Sequence, residues 1–145
     1  AAQLCLTQRT LTPQTKPRHA AIFAADHGVT AEGVSAWPSA VTGLVVRQMV
    51  NRKTASGVFA DELGCSYEVV DVGLIEPLPC YEGAAVNQAQ QRGTASLAAS
   101  PAMTLPQFQH AWQVGTQSAT GAMEAGARLL IGGEMGIGNT LQLFV

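Results

Sequence analysis

Charge is what this sequence has least of. Asp, Glu, Lys and Arg make up only 12% of its 145 residues, against a usual share of about 25%. The 8 basic and 10 acidic side chains leave a formal charge of -2, with no cationic surplus to suit nucleic acid. Cysteine is scarce as well. Cys5, Cys65 and Cys80 form an odd set at wide spacings, whereas a disulfide framework or a zinc site needs even sets or close pairs. They read as buried or incidental thiols of a cytoplasmic protein. No apolar run approaches the ~18 residues of a membrane span, and no signal-peptide pattern opens the chain. Apolar residues themselves are plentiful at 47%, which argues against a disordered chain. The length suits one domain that can bury a sizeable core.

Along the chain, residues 1–19 mix Thr, Gln, Pro and basic side chains without periodicity and read as a loop or a partly ordered tail. Ala20-Ala21-Ile22-Phe23-Ala24-Ala25 is a continuous apolar run, the signature of a strand buried on both faces. It stops at Asp26-His27-Gly28. A loop rich in Gly, Ser and Pro follows to Ser39, and Ser39 or Thr42 can cap a helix. In that helix Val41, Leu44, Val45 and Met49 recur at helical spacing, with Arg47, Arg52 and Lys53 on the other side. A second helix is expected over 55–63, stopped by Gly64. Residues 67–72, Tyr-Glu-Val-Val-Asp-Val, read as the next strand, ended by Gly73. Strand, helices, strand is a βαβ unit and predicts a parallel sheet.

Residues 75–101 show no period and read as an irregular excursion with room for a short strand. Thr104 with Pro106 then announces a long helix to about Ala125, ended by Gly126. No charged residue occurs between Arg92 and Glu124. A helix in that span, carrying Gln, Ser, Thr, Gly and Ala in place of Glu and Lys, is expected to pack on both faces. Trp112 on it reads as core or interface. Leu129-Leu130-Ile131 is a third short buried strand. It leads into a glycine-rich turn over 132–140, Gly-Gly-Glu-Met-Gly-Ile-Gly-Asn-Thr.

A glycine-rich turn after a parallel strand is where ligand loops lie. Its backbone N–H groups can form an anion site, with a helix starting near Asn139 and the Thr140 hydroxyl beside it. The pattern is neither the dinucleotide fingerprint nor a Walker loop, because no Lys follows the last glycine. The same residues also suit a plain strand-to-helix turn. Glu134 in this turn and Asp26 at the end of the first strand should meet at the carboxyl ends of the strands. Each suits a general base or a ribose-hydroxyl acceptor, or a carboxylate that binds backbone amides. His27 reads as a catalytic group or a structural donor. His19 and His110 are expected at the surface or on a helix face, and the three histidines assemble no metal set. Ser35-Ala36-Trp37-Pro38 either walls a pocket for a flat ring or staples its loop to the core.

Taken together, the motifs resemble one family. Residues 25–30, Ala-Asp-His-Gly-Val-Thr, residues 32–38, Glu-Gly-Val-Ser-Ala-Trp-Pro, and Val41-Thr42 are similar to the nicotinate-nucleotide–dimethylbenzimidazole phosphoribosyltransferases. So are residues 69–73, Val-Val-Asp-Val-Gly, Arg92-Gly93-Thr94, and residues 101–104, Pro-Ala-Met-Thr. Residues 133–140, Gly-Glu-Met-Gly-Ile-Gly-Asn-Thr, match that family's most distinctive motif. The resemblance implies an α/β fold, a Rossmann-like parallel sheet with flanking helices, here truncated. It divides the chain into an N-terminal segment, 1–19, and a partial phosphoribosyltransferase domain, 20–145, with the C-terminal half missing.

It also implies a reaction: transfer of phosphoribose from nicotinate mononucleotide to 5,6-dimethylbenzimidazole, giving α-ribazole 5′-phosphate and nicotinate. That step assembles the lower ligand of cobalamin, and the family needs no redox cofactor. The resemblance places Gly136, Gly138, Asn139 and Thr140 at the nucleotide phosphate, and Glu134 at the ribose and reacting centre in a supporting role. Ser35 and Trp37 would line the base pocket, Asp26 and His27 the same cleft, and the full-length enzyme is expected to be a homodimer. Two departures accompany it. The family's catalytic glutamate lies beyond the residues matched here. Where the family often has a Gln that contacts the base, near Gly43 and Leu44, this chain is apolar. The expectation is therefore an incomplete and inactive fragment of the transferase, or alternatively a non-catalytic nucleotide- or base-binding module.

Overall fold

The computed structural model describes residues 2–78 and 85–142. Cys80 and the terminal Leu143, Phe144 and Val145 lie outside the described residues. Among the described residues, five α-helices, α1 (Ala2–Gln8), α2 (Ala40–Val50), α3 (Ala55–Glu62), α4 (Leu105–Glu124) and α5 (Asn139–Gln142), are interspersed with four strands. These are β1 (Arg18–Ala25), β2 (Cys65–Gly73), β3 (Ala85–Asn87) and β4 (Leu129–Met135). They form one parallel sheet in the order β3-β2-β1-β4. Parallel neighbours require crossovers: α2 and α3 carry the chain from β1 to β2, and α4 carries it from β3 to β4. The expected α/β class, a parallel sheet with flanking helices, is the fold that forms.

Both faces of β1 are covered, which is why its sequence is continuously apolar and small. On one face Ala20, Ile22 and Ala24 join Tyr67 and Val69 of β2 beneath Val46 and Val50 of α2 and Ala60 of α3. On the other face His19, Ala21 and Phe23 meet Gly115, Ser118 and Ala119 of α4 around a small cavity of ≈ 100 Å³. His19 is consequently not a surface residue. Its Nδ1 lies 2.9 Å from Ser66 Oγ and its Nε2 3.3 Å from Glu68. Ser118 of α4 donates to the same Glu68 carboxylate. His110 approaches Gln88 O at 2.7 Å, a second polar tie between α4 and the sheet side of the molecule.

Local structure departs from the sequence reading in instructive places. Residues 2–8, Ala-Gln-Leu-Cys-Leu-Thr-Gln, form α1 where a loop was expected, because Ala, Leu and Gln are good helix formers. The first strand begins at Arg18, two residues early. The buried stripe of α2 is Thr42, Val46 and Val50, with Met49 packed against the core, while Leu44 is 59% exposed. A buried threonine in the stripe hid this register. Neither Ser39 nor Thr42 caps α2. Ser39 occupies the cap position with helical backbone angles and no capping bond, and both hydroxyls tie distant loops instead. In α4, Thr104 and Gln107 form the reciprocal capping box, as the Thr-x-x-Gln spacing allows.

The glycine-rich turn starts later than expected. Gly132, Gly133, Glu134 and Met135 continue β4 and pair with Ala21, Ile22, Phe23 and Ala24. A Cβ at Gly133 would lie 2.4 Å from Ile22 Cδ1, so the glycine admits a neighbouring side chain rather than bending the chain. Nor is β4 a buried strand. Its outer edge has no partner among the described residues, and Leu130 and Ile131 are exposed. The long helix packs on one face only: Val114 and Ala122 are buried, while Leu105, Phe108, Met123 and Trp112 (71% exposed) face outward. The scarcity of charge on α4 thus leaves an apolar outer face.

Two of the quoted motifs meet beneath the sheet's carboxyl end. Asp71, fully buried, accepts hydrogen bonds from Gly73 N (3.0 Å), Leu74 N (2.8 Å) and Arg92 Nη1 (3.1 Å). Arg92 also donates to Leu74 O at 3.2 Å. Removing the carboxylate strands two buried backbone donors and takes the ion-pair partner from Arg92. Asp71→Ala is expected to lower the unfolding free energy by about 3 kcal/mol, read by urea titration. A loss below about 1 kcal/mol, the worth of one ordinary hydrogen bond, would contradict this role.

Candidate active site

The site lies where β1 and β4 end side by side. Asp26 follows β1 and is buried, yet each of its polar groups is taken. Ser39 Oγ donates to Oδ1 at 2.5 Å and Ile75 N donates to Oδ2 at 2.9 Å. Its backbone N–H donates to Gly73 O (3.1 Å), and its carbonyl accepts from Thr94 N (3.1 Å). Of the roles open to Asp26 in the sequence, the geometry displays a carboxylate that binds loop donors, one backbone amide and one hydroxyl. Beside it is a pocket of ≈ 170 Å³ lined by Asp26, Ser39, Ala40, Gly43, Ile75 and Glu76.

His27, the next residue, turns to β4. Its Nε2 lies 3.3 Å from Glu134 Oε1, and Asn139 Nδ2 donates to Oε2 of the same carboxylate. Thr140 Oγ1 in turn donates to Asn139 Oδ1 at 3.2 Å. The turn between them must pass very close to β1. A Cβ at Gly136 would lie 2.3 Å from Ala25 O and 2.5 Å from His27 Nε2. Gly138 has φ +89 and carries the chain into α5. Within the turn, Ile137 N already donates to Thr42 Oγ1 (3.0 Å) and Asn139 N to Gly136 O (3.1 Å). The Gly138 N–H has no partner among the described residues. Glu134 is part-exposed, its side chain 40% accessible. The result is a part-exposed carboxylate with His27 Nε2 at one oxygen and the Asn139 amide on the other, beside a close-packed glycine turn.

The structure therefore brings Asp26, His27, Glu134, Gly136, Gly138, Asn139 and Thr140 to one end of the sheet. It does not bring Ser35 and Trp37 against them. Trp37 is 65% exposed, and its backbone N donates to Ser35 Oγ at 3.1 Å within their own loop. Sequence reasoning missed the supports. Ser39 reaches Asp26, Thr42 reaches Ile137, and Thr94 Oγ1 accepts from Gly28 N at 3.2 Å. The signal available was that Thr42 and Thr94 fall within motifs already picked out by resemblance.

A model of the phosphoribosyltransferase family matches residues 1–142. A nicotinate-nucleotide–dimethylbenzimidazole phosphoribosyltransferase of Pseudomonas fluorescens (strain SBW25) is 46% identical over 143 residues, 97% of this chain. The chain belongs to that family. Another member, from Pseudomonas putida (strain GB-1), is 50% identical over 122 residues, 82% of this chain. The crystal structure of the Thermus thermophilus phosphoribosyltransferase of the same name superposes with a TM-score of 0.87 at 37% identity, covering 93% of this chain. The chain spans 40% of the length of the Pseudomonas fluorescens relative and 34% of the Pseudomonas putida one, and 41% of the Thermus chain.

Because a side chain at 136 would run into backbone oxygen that cannot move aside, Gly136→Ala is expected to push the turn away from His27. The amide signals of Ile137 and Asn139 should shift in a heteronuclear spectrum, while those of Val46 and Val69 in the far core stay put. A spectrum unchanged at 137 and 139 would refute the close approach.

Proposed function

We propose that this chain handles the nucleotide in a phosphoribosyl transfer from nicotinate mononucleotide to 5,6-dimethylbenzimidazole. The observation that carries the reading is the Glu134 carboxylate gripped by His27 and Asn139 beside the Gly136–Gly138 turn. Its chemistry suits the substrate. A fixed carboxylate can accept ribose hydroxyls and stabilise positive charge that develops at the anomeric carbon as nicotinate leaves. The Gly138 N–H supplies a donor for the phosphate, and the Thr140 hydroxyl joins it by rotating away from Asn139 Oδ1. The pocket beside Asp26, with the small residues Ala40 and Gly43 in its wall, offers an apolar surface for a flat heterocycle. Ser35 and Trp37 would join this wall only by movement of their exposed loop. A cytoplasmic location and homodimeric assembly belong to the same proposal.

Titration calorimetry with nicotinate mononucleotide tests it. Micromolar binding is expected, weakened at least about tenfold in Glu134→Ala, the cost of about one charge-assisted hydrogen bond. No heat with the wild-type chain would overturn the reading. Assay of α-ribazole 5′-phosphate in the same samples separates the transferase from a non-catalytic nucleotide-binding module, which would bind and not turn over.

A further inference from the structure

We propose that His27 is the positioning residue for Glu134, acting as an Nε2–H donor that works with Asn139 to fix the direction of the carboxylate. The role of that carboxylate toward ribose rests on the function proposed above; the hydrogen-bond state of His27 does not. His27 is 9% exposed, and its Nδ1 is buried with no partner among the described residues. Its Nε2 faces Glu134 Oε1. A neutral imidazole carries one proton. Placed on Nδ1, the proton would sit on a buried donor without an acceptor, and the Nε2 lone pair would confront the carboxylate. Placed on Nε2, it makes a charge-assisted hydrogen bond, and only a lone pair is left buried. The surroundings thus select one tautomer.

The ring also has little freedom to leave. Thr30 N and Thr30 Oγ1 both donate to His27 O, at 3.1 and 2.9 Å, which pins the backbone just past β1. Gly136 passes so close that a Cβ there would lie 2.5 Å from Nε2 and 2.7 Å from Cδ2. Asn139 holds the second oxygen of Glu134 from α5. Two donors from two separate segments leave the carboxylate one orientation. Each oxygen keeps a further acceptor site for a ligand hydroxyl.

Long-range proton–nitrogen spectra of histidine-labelled chain test the tautomer directly. At neutral pH, His27 is expected to show a protonated, pyrrole-type Nε2 and an unprotonated, pyridine-type Nδ1. Glu134→Ala should keep that tautomer, because Nδ1 stays buried without an acceptor among the described residues, but move the Nε2–H proton resonance upfield as water replaces the carboxylate. A protonated Nδ1 in the wild type, or an Nε2–H resonance indifferent to Glu134→Ala, would overturn the proposal. A substitution series gives a second readout, with circular dichroism confirming the fold. His27→Ala is expected to weaken nicotinate mononucleotide binding about tenfold. His27→Gln, whose amide nitrogen reaches the position of Nε2, should recover to within about threefold. His27→Gln as weak as His27→Ala would count against positioning. If the wild type binds no nucleotide, the function proposal falls and the tautomer spectrum still decides the role of His27.

Discussion

One buried carboxylate, that of Asp26, ties the loops at the ligand end of this fold. Its two oxygens accept from Ser39, just ahead of α2, and from the loop after β2, and its backbone N–H and carbonyl bind Gly73 and Thr94. Hydrogen bonds to a charged group are worth about 1.5–3 kcal/mol each, and a buried carboxylate left without them is costly. The loops therefore dock on Asp26 or the charge is stranded. This gives a bland physical reason for an acidic residue at the end of an otherwise apolar strand.

The consequences run outward from that point. With Ser39 held, the first turn of α2 is placed so that Thr42 can accept from Ile137 in the glycine turn. With the turn held, Gly136 packs on Ala25 and His27, and Glu134 on β4 stands opposite His27. The Asp71–Arg92 pair fixes the chain after β2 from the other side. Backbone and small hydroxyls do most of this tying, so the site needs few charges. The low charge of the sequence has two causes that composition alone did not separate. One is this network of neutral donors. The other is the uncharged outer face of α4 and the open edge of β4, where Trp112, Met123, Leu130 and Ile131 stand exposed.

What the sequence made legible was periodicity and punctuation. The apolar run of β1, the capping signals of α4 and the glycines after α3 and α4 are local, and they placed those elements to within a residue or two. Legible too, through resemblance, was the set of motifs that gathers at one end of the sheet. Less so were features decided by a distant partner. Gly132 and Gly133 read as turn because their strand pairing with β1 is non-local. Thr42 read as a cap because its true partner is 95 residues away. His19 read as surface because Glu68 and Ser118 lie far along the chain. The exposed face of α4 was misjudged for a different reason: helix composition reports what a face tolerates, not what covers it within the same chain.

The strand-end loops form one hydrogen-bonded assembly organised by Asp26, and this is the central claim. Amide hydrogen exchange of Asp26→Asn, in which an amide NH₂ must face one of the two donors, measures it most directly. Ile75, Thr94 and Ile137 are expected to lose protection together, by about tenfold or more, while Ile22 and Val69 in the sheet keep theirs. Loss at Ile75 alone, with Ile137 unchanged, would show that the loops are independent and contradict the claim.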